Sequence, residues 1–383
     1  MPLFKLNRLI IKYLNIMVLF VSYKNKQIVE YVLKIYAIYS LSKLSNRNIL
    51  IVKKVISACI FLIFTGNGTT AQENVVSKDT PLPGEPYIQW IAQFPSAKGE
   101  NKGRFKEKFL SYVFGSDNKA ALAKPVAVMA SDSANFWILD QENGKMIRIR
   151  EGVGDIPHIR KNSYGFFTSL VGISPYTTDK ILFTDSYLNK IFVYAQNKKE
   201  MYVLNDTLPL DRPTGIFYYA DKQEVWVVET NAHRISVLDE NGRLLRRFGT
   251  RGTEPGEFNY PTSIWIDDFG KIFIVDAMNF RIQVFTHDGD MMSVFGKTGD
   301  ATGYFARPKG IATDSGGNIY VADALFNTVQ IFDLQGNFLY NFGNQGRGEG
   351  EFWMPTGIYI DENDYIYVAD TYNSRVQVFR LVK

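Results

Sequence analysis

The sequence predicts an all-β chain: six four-stranded antiparallel blades set in a ring, closed by a strand from the N-terminal side. Three observations predict it. A glycine-rich segment occurs three times, as FGTRGTEPGEFNYPTS (248–263), FGKTGDATGYFARPKG (295–310) and FGNQGRGEGEFWMPTG (342–357), and Phe248, Phe295 and Phe342 stand 47 residues apart. An acid with a second landmark five residues later occurs six times, and in five copies that landmark is a base. Between these landmarks the chain breaks into short β-branched and aromatic runs, joined by turns too short for crossover helices. Four such strands in each repeat of about 40–50 residues is the pattern of a propeller blade.

Repeat five shows the elements most plainly. It divides into Gly310–Thr313, Ile319–Val321, Val329–Phe332 and Phe338–Phe342, bounded by the turn segments DSGGN and DLQGN. The acid ends strand two and the base opens strand three. The pairs are Asp140/Lys145, Asp185/Lys190, Glu229/Arg234, Asp276/Arg281, Asp323/Thr328 and Asp370/Arg375. Each of the five acid–base pairs is expected to pin the turn between those strands as an ion pair contributing about 0.5–1 kcal/mol. A proline and a small residue open strand one at Pro125/Ala127, Pro213/Gly215, Pro261/Ser263, Pro308/Gly310 and Pro355/Gly357, with Leu170/Gly172 as the degenerate copy. The repeats fall near 124–168, 169–211, 212–259, 260–306, 307–353 and 354–383. The last holds only three strands, and an open sheet edge needs a partner. Both YIQWIAQF (87–94) and KFLSYVFG (108–115) offer one, and the sequence does not choose between them.

Composition bounds the function. The formal charge is +4 over 383 residues, but residues 1–71 carry ten Lys/Arg and one acid, Glu30. The remainder holds 33 basic and 38 acidic residues, so the body is mildly acidic, which disfavours a nucleic-acid surface. Residues 47–71 read as an export signal: a basic start ending at Lys53-Lys54, an apolar run from Val55 to Phe64, then Thr69 and Ala71 at small-residue positions. Translation is expected to start near residue 50, with 1–46 an upstream extension and 72–86 a linker to a propeller spanning 87–383. The protein is expected to be exported, periplasmic or extracellular, either free or anchored at its N-terminus. The single cysteine, Cys59, lies inside the signal, so the exported chain would use neither disulfides nor thiol chemistry. The glycine-rich segments are not phosphate cradles, since no Gly-Lys-Ser/Thr follows and three copies mark a structural connection.

The motifs RPTGI, YPTSIWID, RPKGIATD and MPTGIYID, with IFIVDAMNFRIQVF, IYVADALFNTVQIF and IYVADTYNSRVQVF, resemble the NHL-repeat family over roughly residues 87–383, most closely from 212 onward. The resemblance implies a six-bladed propeller, and in secreted bacterial members a leader strand ahead of repeat one. Some propellers of this type are enzymes. Peptidyl-α-hydroxyglycine amidating lyase is one, expected to hold zinc and calcium in its channel through histidines. Here His158, His233 and His287 fall in turns on opposite faces and cannot converge on one ion. An all-carboxylate channel site, as in gluconolactonase-type propellers, needs acids on inner strands, whereas Asp267, Asp314 and Asp361 read as turn residues. DENDY (361–365) lacks the glycine and distal glutamate of a calcium loop. No cofactor is predicted, and a channel calcium or zinc in a lyase or hydrolase stands as the alternative. No Ser/His/Asp triad is readable.

The turns after the acid carry large residues where this family has small ones: Tyr187, Leu188, Met278, Phe280, Leu325, Phe326 and Tyr372. They share one face with Tyr260, Arg307, Trp353 and Met354 of the loops into strand one. An apolar, arginine-rimmed face is expected to bind a protein, peptide or glycan, with the propeller monomeric and outside the membrane. The alternative is that these side chains fold under the glycine-rich loops and pack locally.

Overall fold

The computed structural model describes residues 87–95, 122–132, 135–150, 153–155 and 167–383. The expected export signal at 47–71, Cys59, the run 108–115 and His158 lie outside the described residues. The six repeats form six four-stranded sheets, and consecutive strands pair antiparallel in each. Strand one runs over Pro125–Asp132, Leu170–Thr177, Pro213–Tyr219, Ser263–Ile266, Pro308–Thr313 and Pro355–Ile360 in blades 1 to 6. In repeat five the observed strands two and three, Ile319–Asp323 and Thr328–Phe332, take in the landmark residues themselves. The two landmarks of each repeat face one another across the turn, as Asp276↔Arg281 and Asp370↔Arg375 do.

The edge of blade 6 is covered by Tyr87–Phe94, which pairs antiparallel with Arg375–Val382 from Tyr87↔Val382 to Phe94↔Val376. YIQWIAQF is therefore the closing strand. Phe94 is fully buried beside Phe136 of blade 1, their ring centroids 6.5 Å apart. Phe136 in turn meets Tyr367 of blade 6 at 5.6 Å, so apolar packing runs across the seam of the ring.

The core lies between blades rather than inside any one of them. Each cluster takes side chains from two neighbours, such as Phe273 and Val275 of blade 4 with Ile311, Ile319 and Val321 of blade 5. A single twisted sheet cannot bury both faces alone, and stacking around the ring does so. At the centre, the small residue of the proline–small landmark sets the spacing. A Cβ on Gly310 would lie 2.4 Å from the Thr356 carbonyl oxygen, and one on Gly357 would lie 2.5 Å from that of Val126. Blade 6 thus abuts blade 1, and hydroxyls reinforce the contact: Thr371 donates to the Pro125 carbonyl at 2.8 Å and Ser374 to that of Ala123 at 2.7 Å.

The three glycine-rich segments share one conformation. Parallel bridges join Arg251 to Phe258, Thr298 to Phe305 and Gln345 to Phe352. Phe258, Phe305 and Phe352 are fully buried anchors. Gly343 has φ +83°, and a Cβ there would strike the Phe352 ring at 2.3 Å, which is why glycine follows phenylalanine.

Candidate functional site

The landmark acids are fully buried. Their oxygens staple the loop entering strand one: Asp140 accepts from the N–H groups of Ala123 and Lys124, Asp185 from Thr168 and Ser169, Asp323 from Ala306 and Arg307, and Asp370 from Trp353. Ion pairs form at Glu229–Arg234 (2.8 Å), Asp276–Arg281 (2.8 Å) and Asp370–Arg375 (2.7 Å).

The expectation of a pinning ion pair in each of the five repeats that carry a base is corrected here. In repeat one Lys145 stands opposite Asp140 in register, but its side chain is exposed. Asp140 instead takes the two loop N–H groups and the Asn143 amide, at 2.8 Å each, so an ammonium in water adds little. In repeat two Asp185 bonds backbone N–H groups while Lys190 reaches the Asp206 carbonyl, and in repeat five Thr328 offers no charge. Where an arginine is present it also clamps the glycine-rich loop by its carbonyls. Arg281 donates to Thr253, Glu254 and Glu257, and Arg375 to Arg347, Gly348 and Glu351. These loops therefore turn carbonyls toward a cation, the reverse of a phosphate cradle.

Burial pushes the carboxyls of Asp323 and Asp370 above the ordinary aspartate range, against the bonds they accept. At Glu229 burial also pushes upward, but Arg234, Ser236 and the Asp211 N–H outweigh it and leave the group lowered.

The stapled loops carry the residues around the axis. A central cavity of about 370 Å³ is lined by strand one of every blade. At the staple end stand Lys124, Arg212, Arg307 and Lys309, among the hydroxyls of Ser169, Ser186, Thr214, Thr230 and Thr356. No Asp, Glu or His is among the described residues that line it. Toward the other end of strand one, Trp265 meets Phe217 and Tyr359 edge to face, with ring centroids 5.3 and 5.4 Å apart. Trp265 Nε1 donates to Thr313 Oγ1 at 2.9 Å. Burial, with Arg307 and Arg212 close by, lowers the Lys309 ammonium to about 8.

Three residues of the loops into strand one hold left-handed backbone: Arg212 (φ 55°), Tyr260 (φ 49°) and Met354 (φ 55°). Such angles cost about 1–3 kcal/mol for bulky side chains and need support. The support comes from the preceding blade. Asn189 Oδ1 accepts the Arg212 N–H and Asn327 Oδ1 the Met354 N–H, each at 2.8 Å. His233 Nδ1 takes the same part for the Tyr260 N–H at 3.2 Å. His233 is thus a structural acceptor. His287 bonds Glu224 at 2.8 Å from a turn between strands three and four. Among the described residues no group of three or more His, Cys, Asp or Glu is placed to hold a metal ion. Asp267, Asp314 and Asp361 accept N–H groups of their own turns, at Lys271, Asn318 and Tyr365.

The apolar face divides. Tyr187 (72% exposed), Met278, Leu325 and Tyr372 stand out from the surface, with Tyr260 and Trp353 less so. Trp353 and Tyr372 meet at 5.8 Å, and Tyr372 and Met354 reach the mouth of the cavity. Leu188 and Phe280 are half-buried and pack on inter-blade core, so local packing accounts for these two. Phe326 is half-buried and lines a separate cavity in blade 5. Sequence reasoning missed Lys124, Arg212 and Lys309. The signal was present in RPTGI and RPKGI, whose bases flank the strand-one proline.

A family model described as a 6-bladed beta-propeller (DUF5128) matches residues 204–291 and 311–383, less than half of the chain. A putative phosphatase from Bacteroides thetaiotaomicron is similar in structure at TM-score 0.57 and 9% identity, covering 78% of this chain and 79% of that one. An auxiliary nutrient binding protein from the same organism has TM-score 0.54 and 12% identity, covering 69% and 70%. The virginiamycin B lyase of Staphylococcus aureus has TM-score 0.50 and 18% identity, covering 69% and 98%. Likeness at these identities carries the fold, and the chain is a six-bladed β-propeller.

Proposed function

We propose that this chain is an exported NHL-type propeller that acts as a binding module for an anionic peptide or glycan. The observation that carries the reading is the channel mouth, where Lys124, Arg212, Arg307 and Lys309 gather with no carboxylate among the described lining residues. A concave site lined by one sign of charge focuses its field, even on a mildly acidic body. The hydroxyl ring supplies neutral hydrogen bonds, and the exposed Tyr187, Tyr260, Trp353 and Tyr372 supply flat apolar contact around the entrance. Anionic groups would enter the mouth while the remainder of the ligand lies across the rim.

The test is a titration of the purified chain with an oligogalacturonate, a glutamate-rich peptide and a neutral oligosaccharide, followed by intrinsic tryptophan fluorescence. Saturable binding of one acidic probe, lost in R307Q/K309Q while the melting temperature is kept, is expected. Binding that is equal for the neutral probe, or unchanged in the double variant, would overturn the reading. The replies to the two acidic probes separate a glycan from a peptide.

A further inference from the structure

A second site follows from the one repeat that breaks the rule of a base in the second landmark. In blades 4 and 6 a guanidinium sits under the glycine-rich loop, held by the landmark acid and three loop carbonyls: Asp276 with Thr253, Glu254 and Glu257, and Asp370 with Arg347, Gly348 and Glu351. A glutamine two residues after each arginine steadies the loop. Gln283 accepts the Gly256 N–H and donates to the Glu257 carbonyl, and Gln377 does the same with Gly350 and Glu351.

Blade 5 keeps this frame. Its loop makes the same backbone bonds, from the N–H of Gly299 to the Phe305 carbonyl, of Phe305 to Lys297 and of Tyr304 to Ala301. Gln330 accepts the Gly303 N–H and donates to the Tyr304 carbonyl. Asp323 remains, fully buried. The arginine position holds Thr328, whose hydroxyl donates to the Phe342 carbonyl at 2.7 Å and accepts from the Asn341 amide at 3.0 Å. Beside it is a cavity of about 220 Å³ lined by Asp300, Ala301, Phe326, Thr328, Gln330 and Asn341 among others. A single water needs about 10–15 Å³ by that measure, so a planar head group has room. Asn341 occupies the register position of Gln93, whose Oε1 accepts from Arg375 at 2.8 Å in blade 6.

We infer that blade 5 holds a guanidinium-binding seat, in which a guanidinium supplied from outside takes the position that Arg281 and Arg375 occupy in the sister blades. Asp300, Ala301, Phe326 and Asn341 line that position. A planar fork of donors fits this set where a compact ammonium does not. This site is independent of the cationic channel mouth.

The test compares methylguanidinium with methylammonium chloride at equal ionic strength on the full chain, by melting temperature and by backbone amide shifts. Methylguanidinium is expected to give a saturable rise of about 2–4 °C over methylammonium. Its amide shifts are expected to centre on Ala301, Thr302, Thr328 and Gln330. In Thr328→Arg, which fills the seat from within, that response should vanish. No excess over methylammonium, an undiminished response in folded Thr328→Arg, or shifts centred elsewhere would each overturn the inference. Should Thr328→Arg fail to fold, the map of amide shifts decides alone. A parallel titration with N-acetyl-arginine amide separates sources: equal binding assigns the seat to an arginine side chain of a partner, and binding of methylguanidinium alone to a free guanidino compound.

Discussion

Lys309 is the residue on which the channel's chemistry turns. Burial beside Arg307 and Arg212 lowers its ammonium to about 8, so it carries its charge below that pH and loses it above. Anion affinity should therefore be level below about pH 8 and fall as pH rises through it, while Lys309→Arg should flatten the profile; calorimetric titration across about pH 6.5–9.5 measures this. The same shift fixes a stability trend. The folded state binds fewer protons than the unfolded one between the folded value of about 8 and the ordinary lysine value of 10.5, so this residue makes stability rise with pH in that window. The base was legible in RPKGI, but its partial burial was not, because that depends on how far strand one of blade 5 stands inside the ring. Lys145 shows the converse. Its place opposite Asp140 was legible from the five-residue spacing, whereas its exposure depends on what covers that turn. The role of His233 was legible only in part. Its place beside Asn189 and Asn327 can be read from the register, but its acceptor bond to Tyr260 appears only once two blades are side by side.

At the scale of the element, the inner strands are spaced by their third residue. Gly310→Ala would put a Cβ 2.4 Å from the Thr356 carbonyl oxygen, a backbone atom with no rotamer to yield. The variant should lose about 1–3 kcal/mol, read as a lower urea midpoint at unchanged slope. Ala127 and Ser263 stand at the same position in their own blades, so local spacing sets the requirement rather than a backbone angle. The glycine-rich loop is the second element that structure redefines. Its repetition marked it as a connection, and its carbonyl-inward conformation shows why arginine is its partner. The half-burial of Leu188 and Phe280 is an element-scale result too, since each ends up against core shared by two blades.

At the scale of the whole molecule, closure decides stability. Tyr87–Phe94 is distant in sequence from the strand it covers, and it buries Ile88, Ala92 and Phe94. A chain lacking these eight residues leaves the Arg375–Val382 edge unpaired and uncovers the seam between blades 6 and 1. It should melt lower and elute in part as dimers or larger species, because a bare edge recruits another. Size-exclusion chromatography beside thermal melting checks this, and an unchanged melting temperature with a monomeric profile would contradict the closure argument.

The sequence alone determined the blade count, the four strands per blade, the landmark acids and the need for a borrowed strand, because these rest on local alternation and a repeat period. Tertiary structure decided which N-terminal run closes the ring, which cations meet at the axis, which landmark bases reach their acids and that a cavity opens beside Thr328. Those outcomes depend on side chains from different blades meeting across the ring, at distances that a linear register does not contain.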